Sequence, residues 1–255
     1  MKISNDVLAV LSECTVEGNV LYLPQTQLER KLYEAVNKCL TNIGGKWNRS
    51  KKGHIFDYAP HEIATALDNL IITGETEDLK KTFQFFPTPR EIAELMCELA
   101  ELSADSIVLE PSCGRGDLAD VIYEQGVATL MGIELNSDNE RYLADKPYET
   151  LIGTDFLEFA ANTEGQHDWT HIISNPPFSK QQDIDHIRTA FEIMNTGGIL
   201  VSVVSVSPFF RNNKKSVDFR NWLDDNGAEV IDVPAGAFKA SGTNIPTKII
   251  KIIKE

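Results

Sequence analysis

Leu109-Glu110-Pro111-Ser112-Cys113-Gly114-Arg115-Gly116-Asp117 is the stretch that decides the fold. It ends the apolar run Ser106-Ile107-Val108-Leu109 and opens a helical pattern, so it reads as the turn between a buried strand and a helix. Its two glycines allow a tight turn and a close approach of backbone to a ligand. An ordinary strand-to-helix connection and a ligand-binding loop both fit, but a dinucleotide fingerprint does not, because no third glycine falls at the expected offset. Outward from this turn, Thr129-Leu130-Met131-Gly132-Ile133, Ile172-Ile173, 199–204 and Val230-Ile231-Asp232-Val233 read as further buried strands between helical patterns. Such alternation predicts an α/β fold of βαβ units around a mainly parallel sheet. The final run, 247–254, is β-branched and carries lysines, which suits an edge or outer strand. Thr88-Pro89-Arg90-Glu91 predicts a capped helix start, with Thr88 at N-cap, Pro89 at N1 and Glu91 at N3. Ile92, Leu95, Met96 and Leu99 then form one apolar stripe.

Residues 1–82 read as a small α+β module and 83–255 as the main domain. In the module, a strand at 20–23 precedes a helix at about 27–40, which Gly44-Gly45 ends. Residues 46–56 read as a hairpin whose tip carries Arg49, Lys51 and Lys52, and a second helix covers roughly 61–72. The chain has 255 residues, 42% of them hydrophobic, enough for a sizeable core. No apolar run approaches the roughly 18 residues that span a bilayer, and Met1-Lys2-Ile3-Ser4-Asn5-Asp6 lacks the build of a signal peptide. Cys14, Cys39, Cys97 and Cys113 are scattered without a CxxC pair, so no disulfide framework or metal site is expected, and a reducing cytoplasm is. The net charge is −14, but it is unevenly spread. Residues 86–174 carry 4 Lys/Arg against 18 Asp/Glu, while 1–85 carry 10 against 11 and 175–255 carry 10 against 9. A polyanion therefore has two near-neutral, locally basic flanks on which to dock.

The apolar run Thr170-His171-Ile172-Ile173 leads into Ser174-Asn175-Pro176-Pro177-Phe178. Two prolines fix φ and remove two backbone donors, so the Asn175 and Pro176 carbonyls are not drawn into regular structure. With the Asn175 amide oxygen, they form convergent acceptors for a planar amino group, and Phe178 is either a stacking surface or a core anchor. Glu134, which ends the strand at 129–133, is placed to accept from ribose hydroxyls. Asp155, in Gly153-Thr154-Asp155-Phe156, is either a ligand contact or a solvated loop carboxylate.

The Asn175-Pro176-Pro177-Phe178 tetrapeptide resembles the catalytic motif of S-adenosylmethionine-dependent amino-methyltransferases, and most closely that of enzymes acting on adenine N6 in DNA. The 109–117 turn resembles their first cofactor motif, and Phe85-Phe86-Pro87-Thr88-Pro89 resembles the motif lining the methionine end of the cofactor. The stretch 233–243 resembles their late motif, near the target base. Over about residues 83–254 the resemblance implies a Rossmann-like class I fold. It implies catalysis by Asn175, Pro176, Pro177 and Phe178, with a base flipped out of the duplex. It implies S-adenosyl-L-methionine held by Phe86, Thr88, Pro89, Glu110, Ser112, Cys113, Gly114, Gly116, Glu134, Asp155 and Phe156, where Asp155 would meet the cofactor adenine amine and Phe156 its ring. Cys113 would be a small packing residue, not a nucleophile.

The motif order is similar to the γ arrangement, whose members usually carry a target-recognition domain after the catalytic core. This chain stops at Glu255, just after the late motif, like the orphan enzymes of phages and mobile elements. The N-terminal module, with Trp47, Arg49, Lys51 and Lys52, is therefore the candidate reader, although its hairpin tip also fits a merely solvated turn. Lys180, Arg211, Lys214, Lys215 and Arg220 are candidate phosphate contacts. The expected partner is double-stranded DNA, with no membrane and no metal, for a monomer or weak homodimer. RNA adenine, a protein glutamine amide, or a non-catalytic acidic binder on a vestigial fold are the other readings.

Overall fold

The computed structural model describes residues 2–56, 60–75, 87–163, 165–166, 168–234, 236–238 and 246–255. The chain divides into two compact units, 1–83 and 84–255.

The first unit contains α1 (Asn5–Ser12), β1 (Thr15–Glu17), β2 (Val20–Tyr22), α2 (Arg30–Asn42), β3 (Lys46–Asn48), β4 (Gly53–Ile55) and α3 (Pro60–Thr73). Its strands form an antiparallel sheet in the order β1-β2-β4-β3. Leu11 of α1, Val36 and Leu40 of α2, Leu21 of β2, Phe56, and Ile63 and Leu70 of α3 share one buried core. The hairpin at 46–56 forms as its sequence implies: the Lys51 amide donates to Asn48 Oδ1 at 2.9 Å, closing a turn that exposes Arg49, Lys51 and Lys52. Two elements, α1 and β1, carried no readable signal. One is two turns long and the other three residues, too short for periodicity to separate from chance.

The second unit contains α4 (Arg90–Ala100), β5 (Ile107–Glu110), α5 (Asp117–Glu124), β6 (Thr129–Glu134), α6 (Glu140–Leu143), β7 (Glu149–Ile152), α7 (Phe156–Thr163), β8 (His171–Ser174), α8 (Gln182–Ile193), β9 (Ile199–Ser205), α9 (Ser207–Phe210), α10 (Lys214–Asp225), β10 (Glu229–Asp232) and β11 (Thr247–Ile253). Its seven strands run β10-β11-β9-β8-β5-β6-β7. The five from β9 to β7 are mutually parallel, while β11 is antiparallel to both of its neighbours. Alternate residues of each strand feed opposite layers, as a period of two requires. Val108, Leu130, Ile173, Val201 and Ile249 pack under α4 and α5. Leu109, Met131, Ile172, Leu200 and Ile250 pack under α7, α8 and α10. Both faces are covered, which is why these strands read as continuous apolar runs.

Two expectations are corrected. Of the two places offered to the run at 247–254, edge or outer strand, it takes the second. It is β11, inserted between β9 and β10, with Ile249 and Ile250 fully buried. Its lysines find acceptors on neighbouring elements: Lys248 pairs with Asp232, its cross-strand partner on β10, while Lys251 reaches Glu101 after α4, and Lys254 donates to the Glu192 and Met194 carbonyls. The edge is β10, whose Val230 is 40% exposed. Strand pairing, not composition, decides which strand ends a sheet. The capping box also fails to form. Pro89 takes the N-cap position of α4 with φ −59° and ψ 141°, and no side chain caps the helix. The Ile92 and Ala93 amides bond instead to the Pro89 carbonyl, and Thr88 is turned toward another loop.

Candidate cofactor and catalytic site

In the parallel part of the sheet, chain order runs outward in both directions from β5 and β8. Their carboxyl ends therefore border the crevice where open α/β sheets take ligands. The glycine turn follows β5, and the Asn175–Phe178 loop follows β8, so these two sequence-distant motifs flank one crevice.

The glycine turn is held from three sides. The Cys113 amide donates to the Ile133 carbonyl at 2.9 Å, and the Gly114 amide to Glu134 Oε2 at 2.7 Å. Cys113 packs beneath β6 at a point where a Cβ on Gly132 would lie 2.9 Å from Sγ, so its side chain is packing, with its thiol pushed far up by burial. Gly116 has φ +91°, and a Cβ there would lie 2.5 Å from the Tyr148 hydroxyl. That hydroxyl donates to Asp120 Oδ1 at 2.8 Å, and Lys146 Nζ pairs with Asp120 Oδ2 at 2.5 Å. The β6–β7 connection thus clamps the start of α5 against the turn.

Two acidic side chains lie under the turn. Glu134 is 8% exposed. It accepts from the Gly114 amide and, at 2.7 Å, from the Asn136 amide. Burial raises its carboxyl, and those two amides pull it partly back. Glu110, at the end of β5, is 1% exposed. Among the described residues its Oε2 has no hydrogen-bond partner. Burial first, then Asp117 and Glu134, push its carboxyl well above the usual carboxylate range. A buried acceptor of this kind is costly to leave unmatched and is suited to a ligand donor or cation.

In the second loop, Asn175 Nδ2 donates to Thr88 Oγ1 at 3.1 Å. Thr88 is 7% exposed, so this bond fixes which way the amide faces. Among the described residues no donor reaches the Pro176 carbonyl. The loop is anchored at its root by Ser174 Oγ and Ser202 Oγ, 2.8 Å apart and buried between β8 and β9. Phe178 is half-buried against the core under α4, so it anchors the loop while keeping part of its ring open. Beyond it, Lys180 and Gln181 take φ +52° and +61°, a rare pair of left-handed non-glycine residues. Gln181 is held there by Asn213 (2.9 Å) and Ser216 (2.6 Å) at the start of α10.

Asp155 and Phe156 differ in outcome. Asp155 Oδ1 accepts from the Leu157 and Glu158 amides at 2.8 and 3.0 Å, so it caps α7. Phe156 is 3% exposed and lies tilted against His186, with centroids 5.3 Å apart. It is a core residue and offers no open face for a cofactor ring. His186, 8% exposed on α8, joins Phe156 to the glycine turn through Ser112 Oγ at 3.4 Å. Burial lowers its pKa to about 4, so it stays neutral at physiological pH.

Of the basic residues after β8, Lys180, Arg211 and Lys214 are exposed. Lys215 is instead paired with Asp185 at 2.6 Å, and Arg220 donates to the Pro208 and Arg211 carbonyls. Both serve the fold around α9 and α10, and the expected phosphate cluster shrinks accordingly. Phe86 and residues 239–243 of the late motif lie outside the described residues. Phe238 of that motif is buried in the core. Sequence reasoning missed Tyr148, Asp120, Gln181 and His186; each acts through a partner far along the chain, which no local pattern marks. Among the described residues no helix is long and apolar enough to cross a membrane, and no cluster of His, Cys, Asp and Glu could hold a metal ion.

No family model and no curated protein matches this chain. Solved structures do. A type I restriction-modification system methyltransferase subunit from Streptococcus thermophilus is 20% identical over 88% of this chain and 54% of its own, with a TM-score of 0.57. A modification subunit attributed to a type I restriction enzyme of Vibrio vulnificus YJ016 is 16% identical over 87% of this chain and 52% of its own, with a TM-score of 0.54. The chain spans about half the length of these structures. The likeness is one of fold: this chain has the Rossmann-like architecture of methyltransferases.

Proposed function

We propose that this chain transfers a methyl group from S-adenosylmethionine to the exocyclic N6 of adenine in DNA. The observation that carries the reading is the Asn175–Phe178 loop beside the glycine turn, with the Asn175 amide oriented by Thr88. The type I methyltransferase subunits with the same fold support DNA as the substrate.

The crevice fits the cofactor chemically. It has a glycine turn for close backbone approach, a carboxylate at the end of β6, and an orphaned buried carboxylate oxygen on Glu110. S-adenosylmethionine supplies a methyl group on a sulfonium. Thr88, Pro89, Ser112, Gly114 and Gly116 would line its site, Glu134 would accept from its ribose hydroxyls, and Asp155 from its adenine amine. Glu110 Oε2 would accept from its ammonium.

The chain's own chemistry lies in the second loop. The N6 lone pair of adenine is delocalised into the ring. Asn175 Oδ1 and the Pro176 carbonyl, accepting from the two amine protons, draw the nitrogen toward tetrahedral geometry and localise that pair. Because these bonds strengthen as the nitrogen pyramidalises, they lower the barrier more than they tighten binding. Phe178 gives the flipped base a stacking surface. Thr88 acts through Asn175 and is a positioning residue.

The test measures transfer of labelled methyl from S-adenosylmethionine to DNA, RNA and protein in parallel. Label appearing on adenine N6 of DNA is expected, and label confined to RNA or protein would overturn the substrate. Asn175→Ala should lower kcat at least about a hundredfold with cofactor affinity within a few-fold. Near wild-type turnover would overturn the mechanism.

A further inference from the structure

The first unit contains a groove of about 890 Å³ that the transfer chemistry does not use. Three aromatic rings line it: Tyr22, Tyr33 and Trp47. Trp47 is 46% exposed. Its indole is braced edge-on by Tyr33, centroids 6.4 Å apart, and by His54 at 5.2 Å. His54 is itself fully buried and bonded to Asn37 Oδ1 at 2.8 Å. A large exposed ring held this firmly loses little freedom when a flat ligand stacks on it.

The charges in the groove are of two kinds. Lys51 and Lys52 line it from the β3–β4 turn. Among the described residues no carboxylate pairs with either of them, nor with Arg49 beside them. Glu13 and Glu17, both exposed, also line it. Aromatic platforms with unpaired lysines suit single-stranded nucleic acid, since bases stack and phosphates meet ammonium groups. Carboxylates accept from an exocyclic base amine but not from a carbonyl.

We propose that this groove binds an unstacked, amine-bearing nucleobase together with its neighbouring phosphate. The base stacks on Trp47, its amine donates to Glu13 or Glu17, and Lys51 and Lys52 meet the phosphates. This rests on the reading that the protein works on nucleic acid, but it assigns a second site in a separate unit. A cationic peptide would also meet the aromatic rings and glutamates. The unpaired Arg49, Lys51 and Lys52 favour the polyanion.

The experiment uses the full chain and labelled strands of about a dozen nucleotides that lack adenine, so the methyl-transfer site has no target. Fluorescence anisotropy compares oligodeoxycytidylate with oligothymidylate, whose base presents a carbonyl where cytosine has its amine. Oligodeoxycytidylate should bind at least about fivefold more tightly. Glu13→Gln with Glu17→Gln should level the two strands. Trp47→Ala should weaken oligodeoxycytidylate at least about fivefold. Lys51→Gln with Lys52→Gln, at exposed turn positions, should reduce the salt slope by about 1.4. That pair of changes decides the matter if Trp47→Ala does not fold. Equal binding of the two strands, a folded Trp47→Ala protein of wild-type affinity, or an unchanged salt slope would overturn the proposal. So would a labelled lysine-rich peptide, tested with no strand present, binding more tightly than oligodeoxycytidylate. If the protein methylates DNA while the groove variants bind strands as wild type does, the groove proposal alone fails. If it methylates no nucleic acid but the groove variants behave as described, the transfer reading alone fails.

Discussion

The clamp on the glycine turn gives a prediction whose size can be worked from geometry. In Gly116→Ala the new residue must sit at φ +91°, which costs about 1–2 kcal/mol for a side chain other than glycine. Its Cβ would also lie 2.5 Å from Tyr148 Oη, while the next atoms, on Leu143 and Lys146, are at an ordinary 3.4 Å. The hydroxyl is therefore the one group that must move, and it carries the 2.8 Å bond to Asp120. A hydrogen bond to a charged group contributes roughly 1.5–3 kcal/mol, and with the Asp120 side chain 39% exposed the lower end applies. Gly116→Ala should thus cost about 3 kcal/mol and Tyr148→Phe about 1.5 kcal/mol. Phenylalanine removes the clashing oxygen, so the double variant loses that bond once, not twice. It should be no less stable than Gly116→Ala alone, a coupling of about 1.5 kcal/mol. Thermal unfolding reads this as a shift of roughly 2–4 °C per kcal/mol for a unit of this size. Calorimetry with S-adenosylmethionine should show weakened binding in both Gly116→Ala proteins. Strictly additive losses of stability would mean that Tyr148 does not hold the turn.

Other perturbations separate roles that overlap at one residue. Asp155→Ser keeps a capping oxygen for α7 but withdraws the carboxylate, so the melting temperature should hold while cofactor affinity falls; unchanged affinity would remove Asp155 from the cofactor site. Glu110→Gln relieves a buried carboxyl that folding raises, and such a group lowers stability above its unfolded pKa, so the variant should unfold at a higher temperature at pH 7 than the wild type while binding cofactor more weakly. A wild-type melting temperature would show that the charge is already compensated. His186 has the opposite dependence: folding lowers its pKa from 6.5 to about 4, so the unfolded chain takes up a proton that the folded one refuses. Stability should fall as pH drops from about 6.5 to about 4, by up to roughly 3 kcal/mol from this residue, and denaturant unfolding of His186→Gln should lose that part of the slope.

Much of this protein was legible in the order of its residues. Alternating layers feed from Val108 and Leu109, Leu130 and Met131, Ile172 and Ile173, because a strand's period of two is a local property of the backbone. The glycine turn, the proline pair after β8 and the basic hairpin tip follow from φ restrictions and from donors that proline lacks, which also act within a few residues. The tertiary structure decided what depended on distant partners. Thr88 has the sequence of a helix cap, yet its hydroxyl meets Asn175, 87 positions away. Phe156 has the sequence of a stacking ring, yet His186 and the core enclose it. Lys215 has the charge of a phosphate contact, yet Asp185 takes it. The run 247–254 has the lysines of an edge strand, yet β10 pairs beyond it and becomes the edge. In each case residue type fixes which contacts are possible, and the packing of separate elements selects one of them. That selection is a competition between long-range alternatives, and local spacing carries no record of its outcome.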